Sequence, residues 1–392
     1  MSMRIGVDAT GWLNNRGYGR HARGVLTSLV RRDDTNRYVF LLDAEPDVWS
    51  LPAKVEIRLI RNSTPAASAA SANSHRSVLD LWKMSRALSA REFDVLLFPT
   101  VYTYVPVYSP AKKVVMIHDV IAETFPELTV PKLLSRYFWK AKVGLGRWQA
   151  DAIVTVSEYS RQKIVDYFKT DPERVFVVGE ASDPVFRVIK NPQPSVGLRC
   201  VGIEGHGRSV VYVGGFGPHK NLETLVTGFS LLASRPEFSD VQLILVGEYE
   251  KEVFHSSFQR TKNLIGELSL SDRVIFAGYL VDEDLVVLLN LATVLVLPSL
   301  MEGFGLPAVE AAACGCPVIA TAASPLPSVL GDAALYIDPT DVHGLERALH
   351  RVLVSKELRQ RMREAGVAAA GRLSWDVAAD QLVRVLTKVV KS

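Results

Sequence analysis

Two glutamates set eight positions apart are the residues in this sequence best placed to do chemistry. Glu302 and Glu310 lie in MEGFGLPAVEAAACGCPVIAT, residues 301 to 321, with Gly-Phe-Gly-Leu-Pro between them. Pro307 suits the first turn of a helix, and Gly315 suits its end. The N-terminus of that helix can receive an anion, and Glu310, one turn inside, can accept hydrogen bonds from vicinal hydroxyls. Singly, Glu310 would only complement the helix dipole and Glu302 would be solvated, but the pair around a glycine turn favours function.

A second glycine turn follows the apolar run SVVYVGG, at Gly214 and Gly215. It continues as FGPHKN, which puts Lys220 directly before Asn221, a good N-cap for the next helix. Backbone amides and one ammonium can hold a diphosphate, although a tight turn with an exposed lysine is the plainer interpretation. The turn lacks the third glycine of a dinucleotide fingerprint, and no GxxxxGK[ST] motif occurs in the chain.

The first half of the chain offers weaker candidates. His118 and Asp119 end the run KVVMIHD, and His118 is either structural or catalytic there. Gly17 and Gly19 precede an apolar-periodic helix in RGYGRHARGVLTSLV, residues 16 to 30, as in a loop beneath a ligand or in a flexible turn.

The elements that position these residues form an alternating pattern. Helical segments separate many of the short β-branched apolar runs, which indicates βαβ units with buried parallel strands. The runs are residues 4–9, 38–43, 55–60, 94–100, 113–119, 152–158, 175–180, 209–215, 241–248, 273–279, 293–299, 317–322 and 333–339. Ligands of such sheets bind beyond the carboxyl ends of the strands, which is where the candidate residues lie.

The alternation breaks once, in the Pro- and Gly-rich stretch 182–207, which predicts a linker. A chain of 392 residues exceeds one ordinary core. We therefore predict an α/β protein of two doubly wound domains, residues 1–190 and 191–373. The final helix, within 374–392, can pack on the first domain or on the second, and the sequence leaves both alternatives open. Residues 62–77 predict a long loop, either a bland insertion or a lid.

Composition excludes several classes. A net charge of +3 does not argue for nucleic acid, and 48% hydrophobic with 22% charged residues is typical of a soluble globular protein. Three cysteines cannot form a disulfide framework, and Cys314 and Cys316 favour a buried helix end over a metal pair. Without a signal peptide or an apolar span in the sequence, a cytoplasmic protein is expected.

Together these motifs resemble the retaining glycosyltransferases of family 4, the mannosyltransferase-like group 1 enzymes. The resemblance is strongest from about 209 to 340, through VYVGG, PHKN, GYLVDEDL, the segment carrying both glutamates, and GDAALYIDP. It continues more weakly through RGYGRHARGVL, MIHDVIAETFPE and TVSEYSRQKI. The resemblance implies the GT-B fold, in which two facing Rossmann-like domains, one for the acceptor and one for the nucleotide sugar, enclose a central cleft.

The resemblance also implies roles. Glu310 would bind the ribose hydroxyls, Glu302 the transferred sugar, Lys220 the diphosphate, and His118 would lie beside sugar and acceptor. The further donor-binding candidates are Gly17, Gly19, Gly214, Gly215, Gly278, Tyr279, Leu280, Gly303, Phe304, Gly305 and Leu306. Lys220 would also stabilise the departing nucleoside diphosphate, so that no metal would be required. No cofactor would be needed, because the nucleotide sugar is a co-substrate. Many members carry an arginine where Gly215 stands, so the second positive charge on the diphosphate is absent here or supplied elsewhere.

The resulting expectation is a retaining hexosyltransferase that moves mannose from GDP-mannose to a saccharide or lipid-linked saccharide in cell-surface polysaccharide assembly. The alternatives are a UDP-sugar-dependent transferase, a GT-B phosphorylase or epimerase, or a non-catalytic sugar-nucleotide-binding protein. A nicotinamide-dependent dehydrogenase would need the missing three-glycine fingerprint.

The segment LLSRYFWKAKVGLGRWQA, residues 133 to 150, interleaves basic and aromatic residues. Such a helix can lie on the anionic inner face of a membrane, which would make the protein peripheral. The alternative is an ordinary domain helix whose aromatic side chains belong to the core.

Overall fold

The computed structural model describes residues 2–14, 17–46, 50–63, 77–205, 207–249 and 256–391. The chain forms two compact units: Met1–Val120, Val130–Glu180 and Ser374–Ser392 make the first, and Ile121–Thr129 with Ala181–Leu373 make the second. The division therefore follows Glu180 rather than residue 190, and a short segment from the first half of the chain joins the second unit. Most of the loop expected at 62–77, residues 64–76, lies outside the described ranges.

The described residues form parallel strands that alternate with helices. The strands are β1 Arg4–Asp8, β2 Arg37–Leu42, β3 Val55–Leu59, β4 Val95–Phe98, β5 Lys112–Met116, β6 Ala152–Thr155, β7 Val175–Val177, β8 Ser209–Val213, β9 Gln242–Val246, β10 Val274–Gly278, β11 Val294–Leu297, β12 Val318–Thr321 and β13 Ala334–Ile337. The helices are α1 Gly17–Arg32, α2 Val78–Leu88, α3 Ile121–Thr124, α4 Pro126–Thr129, α5 Leu133–Gln149, α6 Glu158–Phe168, α7 Val196–Cys200, α8 Leu222–Ala233, α9 Phe258–Glu267, α10 Asp282–Leu291, α11 Leu306–Ala313, α12 Leu326–Val329, α13 Val342–Val354, α14 Lys356–Ala370 and α15 Trp375–Lys391.

Each unit contains one parallel sheet. The strand order is β3-β2-β1-β4-β5-β6-β7 in the first unit and β10-β9-β8-β11-β12-β13 in the second. The order reverses beside β1 and beside β8, so each sheet has the switch point at which doubly wound sheets bind ligands. All thirteen runs predicted from the sequence are strands, which confirms the α/β doubly wound class. The strands end earlier than predicted, as β5 does at Met116, because the last residues of each run form the loop at the carboxyl edge.

The C-terminal helix α15 packs on α1 within the first unit. Ala378, Leu382 and Leu386 join the core of that unit, and the Arg32 guanidinium pairs with Asp380 at 2.8 Å. Gly24 of α1 permits this packing, because a Cβ atom there would lie only 2.4 Å from the Trp375 ring. Among the described residues, no helix is both long enough and apolar enough to span a bilayer.

Candidate functional site

The glycine turn before α11 has the predicted geometry. Gly305 adopts φ +92°, a left-handed conformation, and its missing side chain leaves room for Leu326, whose nearest atom would lie 3.0 Å from a Cβ. Pro307 occupies the first turn of α11. Gly315 adopts φ +74° and donates its N–H to the Ala312 carbonyl at 2.9 Å, so it ends the helix as predicted.

Glu302 is buried at this turn, with 7% of its surface exposed, and is not solvated. Its Oε1 lies 2.7 Å from Nζ of Lys220 and accepts a hydrogen bond of 2.6 Å from the Ser299 hydroxyl. Its backbone N–H donates to the Ala323 carbonyl at 3.1 Å. The second unit therefore joins its two glycine turns through a carboxylate–ammonium pair, which the sequence pattern did not reveal.

The same pair sets the charge of Glu302. Burial alone would raise the pKa of this carboxyl group, but the adjacent Lys220 ammonium and the Ser299 hydroxyl together outweigh burial. The pKa of Glu302 is consequently lowered from its ordinary value of 4.5. Glu302 is an anion at neutral pH, and its charge is balanced locally.

The Lys220 turn, a 3₁₀ segment over Pro218–Lys220, is held by the loop that follows β11. Leu300 donates its N–H to the His219 carbonyl at 2.8 Å, and the Asn221 side-chain amide donates to the carbonyls of Pro298 and Pro339 at 3.0 and 2.6 Å. Asn221 is the N-cap residue of α8, as predicted, but its side chain makes no capping hydrogen bond to a backbone N–H of the helix. Asn221 adopts φ +60°, its side-chain amide ties two strand ends together, and its Oδ1 accepts a hydrogen bond of 2.9 Å from the Thr224 hydroxyl of α8.

His219 does not supply a second positive charge in this turn. Burial, aided by the Lys220 ammonium, lowers the pKa of His219 to about 3, and the Glu302 carboxylate only partly opposes that shift. The imidazole is thus neutral at pH 7. Lys220 is the cation that the turn itself offers.

Glu310 lies one turn into α11 and is 3% exposed. Both glutamates of the spaced pair are thus buried, on either side of the glycine turn. Phe304 is also buried, at 6% exposure, whereas Leu306 is partly exposed at the first position of α11. Gly303 is buried between Glu302 and Phe304.

Glycines stand at the carboxyl ends of three neighbouring strands in the second unit. Gly214 donates its N–H to the Val246 carbonyl at 3.0 Å, and Gly247 donates to Gly278 at 2.9 Å. A Cβ atom on Gly247 would lie 1.9 Å from the Gly214 carbonyl oxygen, so the backbones touch there. Gly247 was missed by sequence reasoning, although the repeated strand-then-glycine pattern of YVGG, LVGE and FAGY carried the signal.

The other predicted residues of this edge differ in exposure. Tyr279 is 56% exposed and Leu280 only 8%. The carbonyl of Gly215 accepts a hydrogen bond of 2.5 Å from the Tyr212 hydroxyl. This hydrogen bond fixes the position of the Gly215 carbonyl independently of any ligand at the turn.

In the first unit, His118 lies next to two residues that the sequence did not single out. Its ring meets the His21 ring edge-on, with 5.1 Å between centroids and an interplanar angle of 88°. Nδ1 of His21 lies 2.7 Å from Oε1 of Glu180. The His118 carbonyl accepts from the Thr155 hydroxyl at 3.2 Å, which fixes the chain after β5. His21 lies in the quoted segment GRHARG and Glu180 in VVGE, but nothing in their spacing pairs them.

Both histidines are neutral. Burial lowers the pKa of His21 to about 3. Burial, with a contribution from His21, also lowers the pKa of His118 to about 3, while Glu180 partly opposes the shift. Neutral imidazoles keep a lone pair available for a proton, a hydroxyl group or a metal ion.

Gly17 and Gly19 differ in what surrounds them. A Cβ on Gly19 would lie 1.8 Å from the Asn14 carbonyl oxygen, so the close approach at Gly19 is to the chain itself. A Cβ on Gly17 would meet nothing within 4 Å. The residues just before Gly17, 15 and 16, lie outside the described ranges.

Helix α5 of the first unit exposes its aromatic side chains. Tyr137, Phe138 and Trp148 are 71%, 63% and 77% exposed, so the alternative that places them in the core is wrong. Leu134 shares their helical stripe and is 68% exposed, whereas the Trp139 ring packs against Tyr102 with 5.1 Å between centroids.

Two family models match the chain, one in each half. Residues 16–184 match the model described as Glycosyltransferase Family 4, and residues 201–368 match Glycosyl transferases group 1. Among curated relatives, O-antigen chain mannosyltransferase B of Escherichia coli is 29% identical over 302 residues, which are 76% of each chain. The serotype-specific mannosyltransferase WbdA of Escherichia coli is 27% identical over 284 residues, or 72% of this chain. This alignment spans about a third of WbdA, 34% of its length.

A solved structure supports the fold. Sucrose-phosphate synthase from Thermosynechococcus elongatus superposes with a TM-score of 0.76 over 98% of both chains, at 19% sequence identity. That likeness, together with one doubly wound parallel sheet in each unit, establishes the GT-B fold. The motifs around the two glutamates, the matched models in both halves and the shared fold agree, and the chain belongs to the family 4, group 1 glycosyltransferases.

Proposed function

We propose that this chain is a retaining hexosyltransferase that uses a nucleotide-diphosphate sugar, with GDP-mannose as the favoured donor. The observation that carries the proposal is the ion pair of 2.7 Å between Lys220 and the buried Glu302, set at a glycine turn that opens α11. It supplies a cation, a carboxylate and helix-terminal amides together. The relatives named as mannosyltransferases favour mannose, and a UDP-sugar donor is the alternative.

The proposed chemistry follows from the charge that develops when the bond from the anomeric carbon to the phosphate oxygen breaks. The leaving group is a nucleoside diphosphate anion, and the sugar becomes oxocarbenium-like. Lys220 and the amides near Gly303 to Leu306 would face that anion. Removing one preorganised donor of this kind raises the activation free energy by about 3–4 kcal/mol. In the retaining course, the acceptor hydroxyl attacks on the same face and passes its proton to the departing phosphate oxygen. No metal or cofactor enters this scheme.

The remaining donor contacts are divided between the two glutamates and the strand ends. Glu310 would accept hydrogen bonds from both ribose hydroxyls, while Glu302 would orient the transferred sugar. Gly278, Tyr279 and Leu280 would border the base, and the exposed Tyr279 ring is free to change rotamer as a base arrives. His118, in the first unit, would contact the sugar as a neutral imidazole.

The acceptor is proposed to be a saccharide or a lipid-linked saccharide in cell-surface polysaccharide assembly. Helix α5 supports the lipid-linked class, because its exposed stripe is apolar and aromatic. Residues 130–150 also contain five basic residues and no acidic one: Lys132, Arg136, Lys140, Lys142 and Arg147. A helix of this composition lies on anionic bilayers. We propose peripheral contact with the inner face of a membrane through this stripe.

The experiment that tests the donor is a binding and turnover panel. GDP, UDP, ADP and NAD are titrated first by thermal shift, since a ligand at a hundredfold excess over its Kd stabilises by about 2.7 kcal/mol. Radiolabelled GDP-mannose and UDP-sugars are then supplied with and without acceptor lipids or glycans. Preferential stabilisation by GDP with mannose transfer supports the proposal. A preference for UDP-sugars overturns the donor, and stabilisation by NAD alone overturns the transferase.

The same assay separates the remaining alternatives. A phosphorylase would release a sugar phosphate when free phosphate replaces the acceptor, and an epimerase would change the donor sugar without any acceptor. A non-catalytic binding protein would bind nucleotide but leave every labelled donor intact. Product analysis by chromatography therefore assigns one of the four activities.

A further inference from the structure

Three side chains in the first unit converge from separate elements. His21 comes from α1, His118 from the loop after β5, and Glu180 from the segment after β7. One potential ligand atom from each lies within 4.8 Å of the other two. His21 is fully buried and Glu180 is 6% exposed, so the group is not an accidental surface cluster.

The imidazole nitrogens of this group lack partners. Within the described ranges, none of the four ring nitrogens of His21 and His118 has a hydrogen-bond partner, although all four are buried. Nδ1 of His21 is close to Oε1 of Glu180, at 2.7 Å, but the two atoms are not in hydrogen-bonding geometry. A buried polar group without a partner costs about 1–3 kcal/mol, so this arrangement calls for a ligand.

The ligand that fits is a Lewis acid, which accepts lone pairs from the imidazole nitrogens and the carboxylate. Two imidazoles and one carboxylate form a donor set typical of zinc sites with an open fourth position. We propose that His21, His118 and Glu180 bind one divalent transition metal ion of the zinc class. Tetrahedral ligand atoms at bonds of about 2.0–2.2 Å lie about 3.4 Å apart, so side-chain rotation must draw the three groups closer on binding.

Two further observations support the site. The Trp375 ring packs edge-on against His21, with 5.5 Å between centroids, and holds that imidazole in place. The side-chain amide of Gln381 accepts from the Gly179 N–H at 3.0 Å, which anchors the residue before Glu180.

An ion at this site would be inhibitory rather than catalytic. Coordination by His118 would withhold one of its ring nitrogens from the sugar. This consequence rests on the proposed role of His118 in transfer, whereas the binding of the ion does not. Transfer would then proceed in the presence of a chelator and decrease when Zn²⁺ is added.

The test uses the full-length chain freed of metal by a chelator. Co²⁺ is titrated while visible absorption is recorded, and Zn²⁺ is titrated by calorimetry. We expect one equivalent of either ion and intense four- or five-coordinate Co²⁺ bands. Glu180→Gln, which keeps the side-chain shape, and His21→Asn are expected to lower the affinity about tenfold or more. His343→Ala is the matched control, because His343 is exposed on α13 of the second unit.

Each outcome separates this site from the proposed function. GDP is titrated into the same samples, since its proposed contacts lie mainly in the second unit. Absence of a stoichiometric ion, or unchanged affinity in Glu180→Gln, overturns the metal site even if GDP binds. Retained metal binding without nucleotide binding overturns the transferase alone. If His21→Asn fails to fold, Glu180→Gln by itself decides the matter.

Discussion

Nζ of Lys220 lies 2.7 Å from Oε1 of Glu302, and the two residues belong to different glycine turns of one sheet edge. The carboxylate is almost fully buried, while 22% of the lysine side chain is exposed. Glu302 therefore holds the ammonium in a fixed place and leaves part of it accessible to an incoming anion. A cation positioned before the ligand arrives loses less side-chain entropy on binding.

Replacing Lys220 should lower both the free energy of unfolding and kcat, for two different physical reasons. Lys220→Met leaves the Glu302 charge buried without its ammonium partner, so we expect a loss of about 2 kcal/mol in the free energy of unfolding, less than for a fully buried pair. We also expect kcat for transfer to decrease about a hundredfold or more, because the leaving diphosphate loses a preorganised charge. Denaturant titration and steady-state kinetics measure the two effects.

The double variant Lys220→Met, Glu302→Gln is the control for that experiment. Neutralising Glu302 removes the uncompensated charge, so much of the lost stability should return. Activity should stay low, because both proposed contacts with the donor are gone. Recovery of full activity along with stability would show that Lys220 acts only through the fold.

The free energy of unfolding should depend on pH through the ion pair between Glu302 and Lys220. The pKa of Glu302 is lowered in the folded chain, so its contribution to stability is complete above the ordinary value of 4.5 and is lost as the pH falls through the lower folded value. Chemical denaturation from pH 7 down to pH 3 measures this loss. Below pH 4.5, the free energy of unfolding should fall less steeply with decreasing pH for Glu302→Gln than for the wild type. Glu283→Gln, an exposed residue of α10, should leave the profile unchanged. Equal slopes for the wild type and Glu302→Gln would contradict the pairing.

Glu310 is predicted to act on nucleotide affinity. Glu310→Ala removes two charge-assisted hydrogen bonds to the ribose, each worth about 1.5–3 kcal/mol, and should weaken GDP binding by tenfold or more. Calorimetry with GDP and with deoxy-GDP checks the ribose assignment, since the variant should no longer distinguish them. Glu223→Gln, on α8, is the matched control because its carboxylate is partly exposed and pairs with Arg260. An unchanged affinity for GDP in Glu310→Ala would remove the ribose role.

The sequence predicted the fold well because most of its strands are short, rich in β-branched residues and buried on both faces. All thirteen runs became strands, and Gly305 to Gly315 took the turn, helix and cap that their residue types require. Local chemistry dominates in such elements. Segment ends were less predictable, since the residues after a strand remain apolar where they line the carboxyl edge, as Ile117 does after β5.

Pairings between distant residues were not predictable. Lys220 and Glu302 are separated by 82 positions, and His21 and Glu180 lie even further apart. Their contacts depend on strand order and on the packing of loops, neither of which leaves a periodic signal. The anchoring of the Asn221 side chain was not predictable for the same reason, because the carbonyls of Pro298 and Pro339 that accept from it follow two later strands.

Gly305 should be intolerant of any side chain. Its φ of +92° disfavours an L residue, and a Cβ would come within 3.0 Å of Leu326. Gly305→Ala should reduce the free energy of unfolding by about 1–3 kcal/mol. Gly266→Ala on α9 is the opposite control, because a Cβ there meets nothing within 4 Å and alanine favours helix by up to about 1 kcal/mol. Denaturant titration of both variants should give changes of opposite sign, and similar changes would refute the strain at Gly305.

The exposed stripe of α5 should direct membrane binding. Vesicles with anionic lipid should carry the protein upward in flotation at low salt, and binding should weaken at high salt because the basic residues act through screened charge. Phe138→Ser with Trp148→Ser should reduce the floated fraction severalfold, since both rings would otherwise enter the interface. Tyr167→Ser, a 47% exposed aromatic residue on α6, should leave flotation unchanged. Absence of binding at low salt, or equal loss in both sets of variants, would assign the stripe to another partner.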